Sequence, residues 1–527
     1  MKNKALTYLL VGILSLSLIG CGKKEETESV ANVSEKEVVQ EEVNEIEVRV
    51  EEEQKESTEE EKSKEVSEVE ETASEAVIEA VVEEVTEDEP KYIRDAMGKQ
   101  IGMIEKLDGV RYTIYENGAS ALIDIGGEDY ILKEEVEYEG NTYPVICFEG
   151  CFAHVEVQDY TFPSHIKYIE EMGFFSAVNL TIPDSVELIS WKCKFSDMKN
   201  LETITMSENV MFEEGWLNCT FSGCDKIRTV TLPKNAKHLD GTFSGCSSLE
   251  SVILPDTVEE INGAFTGCTS LASITLPKSV TTIEGLGGTS FTSFVIPEHI
   301  TTIGGSAFAN CVNLESVEIP DSVTVIESGA FSGCTNLKTI EIPDSVTVIE
   351  DDVFKECDSL TSVTIPEGIT ILEVSLFEGC DNLSEIILPD SVTEFSSYAF
   401  KNCTSLTTYT IPESVTVIGV ETFGECTNLN SITFPNGFET IGSSAFNGCI
   451  NLVEVNIPNS VTSLQNDAFR NCTNLVEINI PNSVRYIGKR AFAGCDNLTK
   501  IVLGNGIKEL VYDDLIKEYP DIEIVKE

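Results

Sequence analysis

The chain has 527 residues, with 91 acidic against 35 basic side chains and a net charge of −56. That length exceeds one ordinary compact core and calls for several domains or one repeat array. The acidic balance excludes a nucleic-acid binder, which needs a basic footprint, and disfavours electrostatic adhesion to anionic lipid heads.

Lys2 and Lys4 form a short basic region before an apolar run from Leu6 to Ile19. The run has the length of a signal-peptide core and is short for a membrane span. It ends in Leu18-Ile19-Gly20-Cys21. This resembles the lipobox of bacterial lipoproteins, in which a small residue precedes an invariant cysteine. The resemblance implies a signal peptide over residues 1–20, diacylglycerol transfer to the Cys21 thiol, cleavage before Cys21, and membrane attachment through the N-terminal lipid. Two or three acyl chains give lasting anchorage where one holds weakly. Gly22 occupies the position where, by family habit, Asp marks inner-membrane retention. The alternative is an ordinary secretory signal with a chance cysteine.

Residues 25–90 carry 27 acidic and 5 basic side chains and no aromatic. Low hydrophobicity with high net charge cannot offset ordering entropy, so residues 21–90 read as a lipidated, acidic, disordered stalk. As a flexible coil it spans roughly 45 Å, and self-repulsion extends it. Its simplest role is to lift the body off the membrane. A Ca²⁺ or cationic-partner site is the alternative, and no EF-hand-like spacing supports it.

Residues 91–150 hold alternating segments such as Tyr112-Thr-Ile-Tyr115 and Tyr130-Ile-Leu132, and predict a β-rich N-terminal cap. A solenoid over 151–504 follows. Pro320, Pro343, Pro366, Pro389, Pro412, Pro435, Pro458 and Pro481 are each 23 residues apart, with looser spacing upstream, giving about 16 turns. In each turn Leu-x-x-Ile-x-Ile alternates as a short strand, with Leu337, Ile340 and Ile342 facing inward. The proline after it ends the ladder, and Asp-Ser or Glu-Gly turns the chain. Val346 and Ile349 return to the core. Ala-Phe and then Cys predict a short helical or 3₁₀ segment, with Phe and Cys three residues apart on one face. One turn cannot bury this set alone, so stacking is required. Residues 505–527 lack the Phe and Cys slots and predict a C-terminal cap, a helix from Asp513 to Tyr519 and then a strand.

The repeat, exemplified by Leu314-Glu-Ser-Val317-Glu-Ile319-Pro320-Asp-Ser-Val323, resembles the BspA-type (Treponema-type) leucine-rich repeat over roughly residues 145–510. The segment Glu139 to Val145 resembles the β-rich lead-in that precedes these repeats in the family. The resemblance implies an α/β, β-rich solenoid: a leucine-rich-repeat right-handed superhelix with a parallel concave sheet. It also implies an exposed cell-surface protein acting in protein binding or adhesion, and the lipobox adds lipid anchoring to the bacterial envelope, at the outer leaflet or outer membrane. The expected partner is a host or bacterial surface protein, with a glycan as the alternative. A structural envelope spacer and, less favoured, a glycan-acting enzyme are the competing functions.

Twelve of the 17 cysteines, from Cys224 to Cys495, occupy one slot three residues after the Phe, and Met198 takes that slot in an earlier turn. A methionine there marks an apolar pocket, so free buried thiols are expected even though stacked neighbours would approach disulfide range. Cys147, Cys151, Cys193 and Cys219 are less regular. Metal binding through close pairs such as C-x-x-C finds no support in the ladder. His154, His165, His238 and His299 read as scattered surface residues at no shared slot. No nucleophile elbow or P-loop occurs, and no catalytic, metal or cofactor group is identified. The turn at 285–290 lacks both Phe and Cys, and Gly287-Gly288 there reads as a local kink.

The outward positions of the strands form the candidate binding face. One stripe runs Thr205, Thr231, Ile253, Thr275, Val295, Glu318, Glu341, Thr364, Ile387, Thr410, Thr433, Asn456, Asn479 and Val502. Its neighbour includes Ser316, Thr339, Ser362, Glu385, Thr408, Ser431, Glu454 and Glu477. The turns from Glu318 to Asn479 are equal in length, so one continuous hydroxyl-rich, acidic stripe is expected. Strand propensity alone also favours Thr there.

Overall fold

The computed structural model describes residues 92–124, 132–151, 156–173, 176–218, 220–507 and 515–526. The signal segment, Cys21 and the acidic stalk lie outside the described residues, as do the side chains of Cys151 and Cys219. No helix among the described residues is long and apolar enough to cross a membrane.

The body is a parallel-strand β-solenoid with almost no helix. In one representative turn Leu337, Ile340 and Ile342 are buried, and Thr339 and Glu341 are exposed. The strand Thr339–Glu341 lies parallel to Ser316–Glu318 before it and pairs with Ser362–Thr364 after it. Pro343 ends the strand, and its carbonyl accepts the Val346 N–H at 3.0 Å, closing a β-turn over Asp344 and Ser345.

The returning dipeptide does more than re-enter the core. Val348–Ile349 pairs in parallel with Val325–Ile326, so a second ladder runs beside the first. The sequence reading anticipated only one sheet.

The Ala-Phe-x-x-Cys segment differs from the expected helix. It is a run of turns in which the residue before Ala-Phe and the one four further on both have positive φ. These are Gly329 (65°) and Gly333 (72°) in one turn, and Asp352 and Glu356 (57° each) in the next. Left-handed residues at that spacing cannot propagate a right-handed helix. Instead, the Gly329, Phe331 and Gly333 N–H groups donate to Asp351, Val353 and Lys355 of the following turn at 2.8–3.0 Å. Every side of the turn is thus hydrogen-bonded to its neighbour.

Inside, the Phe slot forms a ring column. Phe308, Phe331, Phe354, Phe377, Phe400, Phe423, Phe446 and Phe469 stack with centroids 5.3–5.8 Å apart. The short turn at 285–290 interrupts it. Leu286 and Thr289 fill the Phe and Cys slots there, and Phe291 and Phe294 supply ring volume from the strand side. A Cβ at Gly285 would collide with the Gly263 backbone, so the turns pack tightly at this point.

At the N-terminus, α1 (Ile93–Met97) covers Tyr115, Cys147, Tyr168 and Leu188. The buried Glu213 carboxylate accepts the Ile93 N–H at 2.9 Å and the Ser190 hydroxyl at 2.6 Å, which fixes this helix to the array. β1 (Gln100–Leu107), β2 (Val110–Tyr115) and β3 (Gly118–Asp124) pair antiparallel, and β3 then pairs parallel with Asn141–Cys151. The parallel ladder therefore starts on a strand that straddles residue 150. At the other end residues 515–518 are helical, and Glu523–Lys526 adds a last parallel strand to Lys500–Leu503.

Candidate interaction face

The outward strand positions present Glu318, Thr339, Glu341, Thr364, Glu385, Thr408, Thr410, Thr433, Glu454, Asn456, Glu477, Asn479 and Ser316 as exposed side chains. Ser362 and Ser431 are half-buried. Register places Val295 beside Glu318, and Glu318 beside Glu341. Farther along, Thr364 stands beside Ile387, Thr410 beside Thr433, and Asn456 beside Asn479.

The face is not one continuous stripe. The strands from Ser293–Val295 to Glu385–Ile387 form a five-stranded sheet, and those from Thr408–Thr410 onward form a separate six-stranded one. The cause lies in the core between them. Phe395 stands in the Ile349 and Leu372 slot, and Tyr409 stands where other turns carry Ile or Val. Their rings crowd Phe400 and Phe423, with centroids 5.4–6.4 Å apart. Extra volume in a packed core shifts backbone, and here it parts the two strands. A second opening lies at residues 272–276, which join neither Ser251–Ile253 nor Ser293–Val295.

Three large aliphatics of this stripe border these openings. Ile253 is 73% exposed, Val295 64% and Ile387 53%. Glu318 and Glu341 face no cation among the described residues. Glu454 and Glu477 differ, since Glu454 accepts from Asn456 Nδ2 at 2.9 Å and Glu477 pairs with Lys500 at 3.0 Å.

Other chemically capable groups are dispersed. His165 and His299 share the Ser slot of Pro-x-Ser-Val, contrary to the expectation that no two histidines would. The slot is half-enclosed between the ladders, and burial pushes the His165 imidazole pKa down. His238 stacks on Trp216 at 4.0 Å and its Nδ1 lies 3.0 Å from Glu260. A β-bulge brings donor atoms of Cys147, Glu149 and Glu170 within 4.8 Å of one another, a grouping that linear spacing does not reveal. Ser120 donates to Glu149 at 2.8 Å beside it. A groove of about 440 Å³ lies at the strand edge, lined by Glu202, Lys226, Arg228, Ser248, Glu250 and Ser270.

The twelve ladder cysteines are buried thiols outside any disulfide. Each donates Sγ–H to a carbonyl of the preceding turn, as Cys334 does to Phe308 at 3.1 Å and Cys380 to Phe354 at 3.0 Å. Burial pushes the thiol of Cys224, Cys246, Cys268, Cys426 and Cys495 up to about 12.

A leucine-rich repeat protein from Bacteroides ovatus ATCC 8483 is similar at 25% identity and a TM-score of 0.50, over 80% of this chain and 99% of that one. A leucine rich cell surface protein from Faecalibacterium prausnitzii A2-165 matches at 22% identity and a TM-score of 0.35, over 79% and 97%. The pneumococcal vaccine antigen PcpA matches at 16% and 0.36, over 81% and 98%. A search of curated proteins finds no match. The family model described as the BspA type leucine rich repeat region matches in six copies, over residues 147–238, 216–287, 285–407 and 393–514. With most of its length so matched, the chain belongs to the BspA-type leucine-rich-repeat family.

Proposed function

We propose that this protein is a surface-exposed lipoprotein of the bacterial envelope, held by lipid on Cys21, whose repeat array binds a partner protein through the outward strand face. The observation that carries this reading is the ordered face itself. It is broad and solvent-exposed, and its carboxylates Glu318 and Glu341 lack opposing cations among the described residues. The apolar slots are committed to the core, and the repeat proteins of this family are generally non-catalytic. A complementary partner carries basic or hydroxyl-matching groups, and its capture weakens with salt.

Site-specific photo-cross-linking on intact cells tests the reading. A photoreactive residue replaces Thr364 on the strand face or Thr347, exposed on the side of the second ladder. Discrete protein adducts from position 364 and none from 347 are expected. Adducts from 347 alone would overturn the assignment of the face.

A further inference from the structure

Resting on that reading, we infer that the five-stranded block from Val295 to Ile387 receives a basic amphipathic helix of the partner, laid across the strands. The block is a bounded platform, because the ladder opens on both sides of it. Along its outward stripe the side chains run Val295, Glu318, Glu341, Thr364, Ile387, one per strand. The order is aliphatic, acid, acid, hydroxyl, aliphatic. Val295 and Ile387 are more than half exposed, so both ends offer apolar contact.

The spacing selects the shape of the occupant. Neighbouring strands lie about 4.8 Å apart, so the five rungs span about 19 Å. A helix turn advances about 5.4 Å, close to one rung. An extended peptide presents same-face side chains about 6.6 Å apart and falls out of step within two rungs. Helix positions 1, 5, 8, 12 and 15 lie on one face, at rises of about 0, 6, 10.5, 16.5 and 21 Å. Lys or Arg at 5 and 8, a small polar residue at 12 and apolar residues at 1 and 15 therefore meet Glu318 and Glu341, Thr364, and Val295 and Ile387 respectively, each within about 2 Å of its rung. The adjoining stripe of Ser293, Ser316, Thr339 and Ser362 is small enough to let the helix lie close over four rungs, and the exposed Glu385 on the fifth adds a third carboxylate. Charge complementarity favours the basic sign, since two neighbouring carboxylates in an acidic chain repel an acidic occupant and gain no counter-charge from a neutral one.

The test uses a labelled 18-residue helical peptide with Leu at positions 1 and 15 and Lys at 5 and 8, titrated by fluorescence anisotropy into the detergent-solubilised full chain. A control peptide of the same composition carries its lysines on the opposite helix face. Saturable binding of the first is expected, weakened at least about tenfold by Glu318→Gln with Glu341→Gln, and again by Val295→Thr with Ile387→Thr. The control should bind at least about tenfold more weakly. Equal binding of both peptides, or binding unchanged in both double variants, would overturn the inference. If cross-linking from Thr364 succeeds while the peptide does not bind, the helix is wrong and the strand-face reading stands. If the cross-link also fails, the reading itself falls.

Discussion

Cys334, Cys357 and Cys380 each answer one buried problem, a Phe carbonyl of the preceding turn that faces the core. Each thiol donates to that carbonyl at 3.0–3.3 Å. Such a bond is weak, and the slot tolerates its loss, because Met198 is buried there without a donor. Burial disfavours the thiolate, so a thiol pushed up to about 12 stays protonated, and unreactive, at neutral pH. The measurement is alkylation at pH 8 without reductant, counted by intact mass. The native protein should leave the twelve ladder thiols unmodified, and unfolding should expose all twelve to reaction. Six or more disulfides surviving in the unfolded protein would contradict the ladder. The sequence reading reached the apolar pocket through Met198. The carbonyl contact depends on the close stacking of turns, which no single repeat displays.

Elements in this array meet their neighbours twice, once through backbone ladders and once through charge. Many cations reach an acid one turn away, as Lys338 does Glu315 at 2.7 Å, Lys355 Glu378 at 3.1 Å and Arg490 Asp467 at 3.0 Å. These exposed pairs contribute little individually. Acids so outnumber bases that many carboxylates face only other carboxylates. Glu373 is partly buried and lies near Asp351, Glu394 and Glu350; burial first and those charges second raise its pKa. A carboxyl with a raised folded pKa favours the fold below its ordinary titration, and that contribution is lost as pH rises through the folded pKa. At pH 7 the ionised Glu373 therefore opposes folding. Glu373→Gln should raise Tm at pH 7 by a small amount, and the gain should vanish at pH 4, where the native carboxyl is protonated. An equal gain at both pH values would contradict the electrostatic origin.

Most of this scale was legible in the sequence. The 23-residue register places the strand, the proline stop and the inward Leu, Ile and Phe where the structure has them. The second ladder was not legible, because Val-Ile is two residues long and period-two alternation cannot show in two residues. The expected helix is absent because residue spacing alone does not report φ: Glu356 is of a helix-favouring type yet sits, like Asp352, in the left-handed region. Along the strand face most residues expected to point outward are exposed, with Ser362 and Ser431 half-buried, but the parting beside Ile387 was missed. It arises from Phe395 and Tyr409, each a conservative hydrophobic replacement in sequence and an excess of volume in the core.

At the scale of the whole molecule, a solenoid in which each turn touches only its neighbours distributes its stability along its length, and its outer faces are free to diverge. Attachment is proposed to reside at the far N-terminus. Cys21→Ala should release the protein into the soluble fraction of lysed cells, and unchanged detergent-dependent association would contradict the anchor. Recognition is proposed to reside on the strand face, and the acidic stalk is its natural rival, since both are negative. The decisive measurement compares two charge swaps in one capture assay against the cross-linked partner. Glu318→Lys with Glu341→Lys alters the face, and Glu51→Lys with Glu52→Lys alters the stalk by the same charge. Exposed strand residues rarely set stability, so the face variant should remain folded. The account predicts that the face swap abolishes most capture and the stalk swap leaves it intact. Loss of capture with the stalk swap alone would make the solenoid a scaffold and the acidic stalk the ligand site.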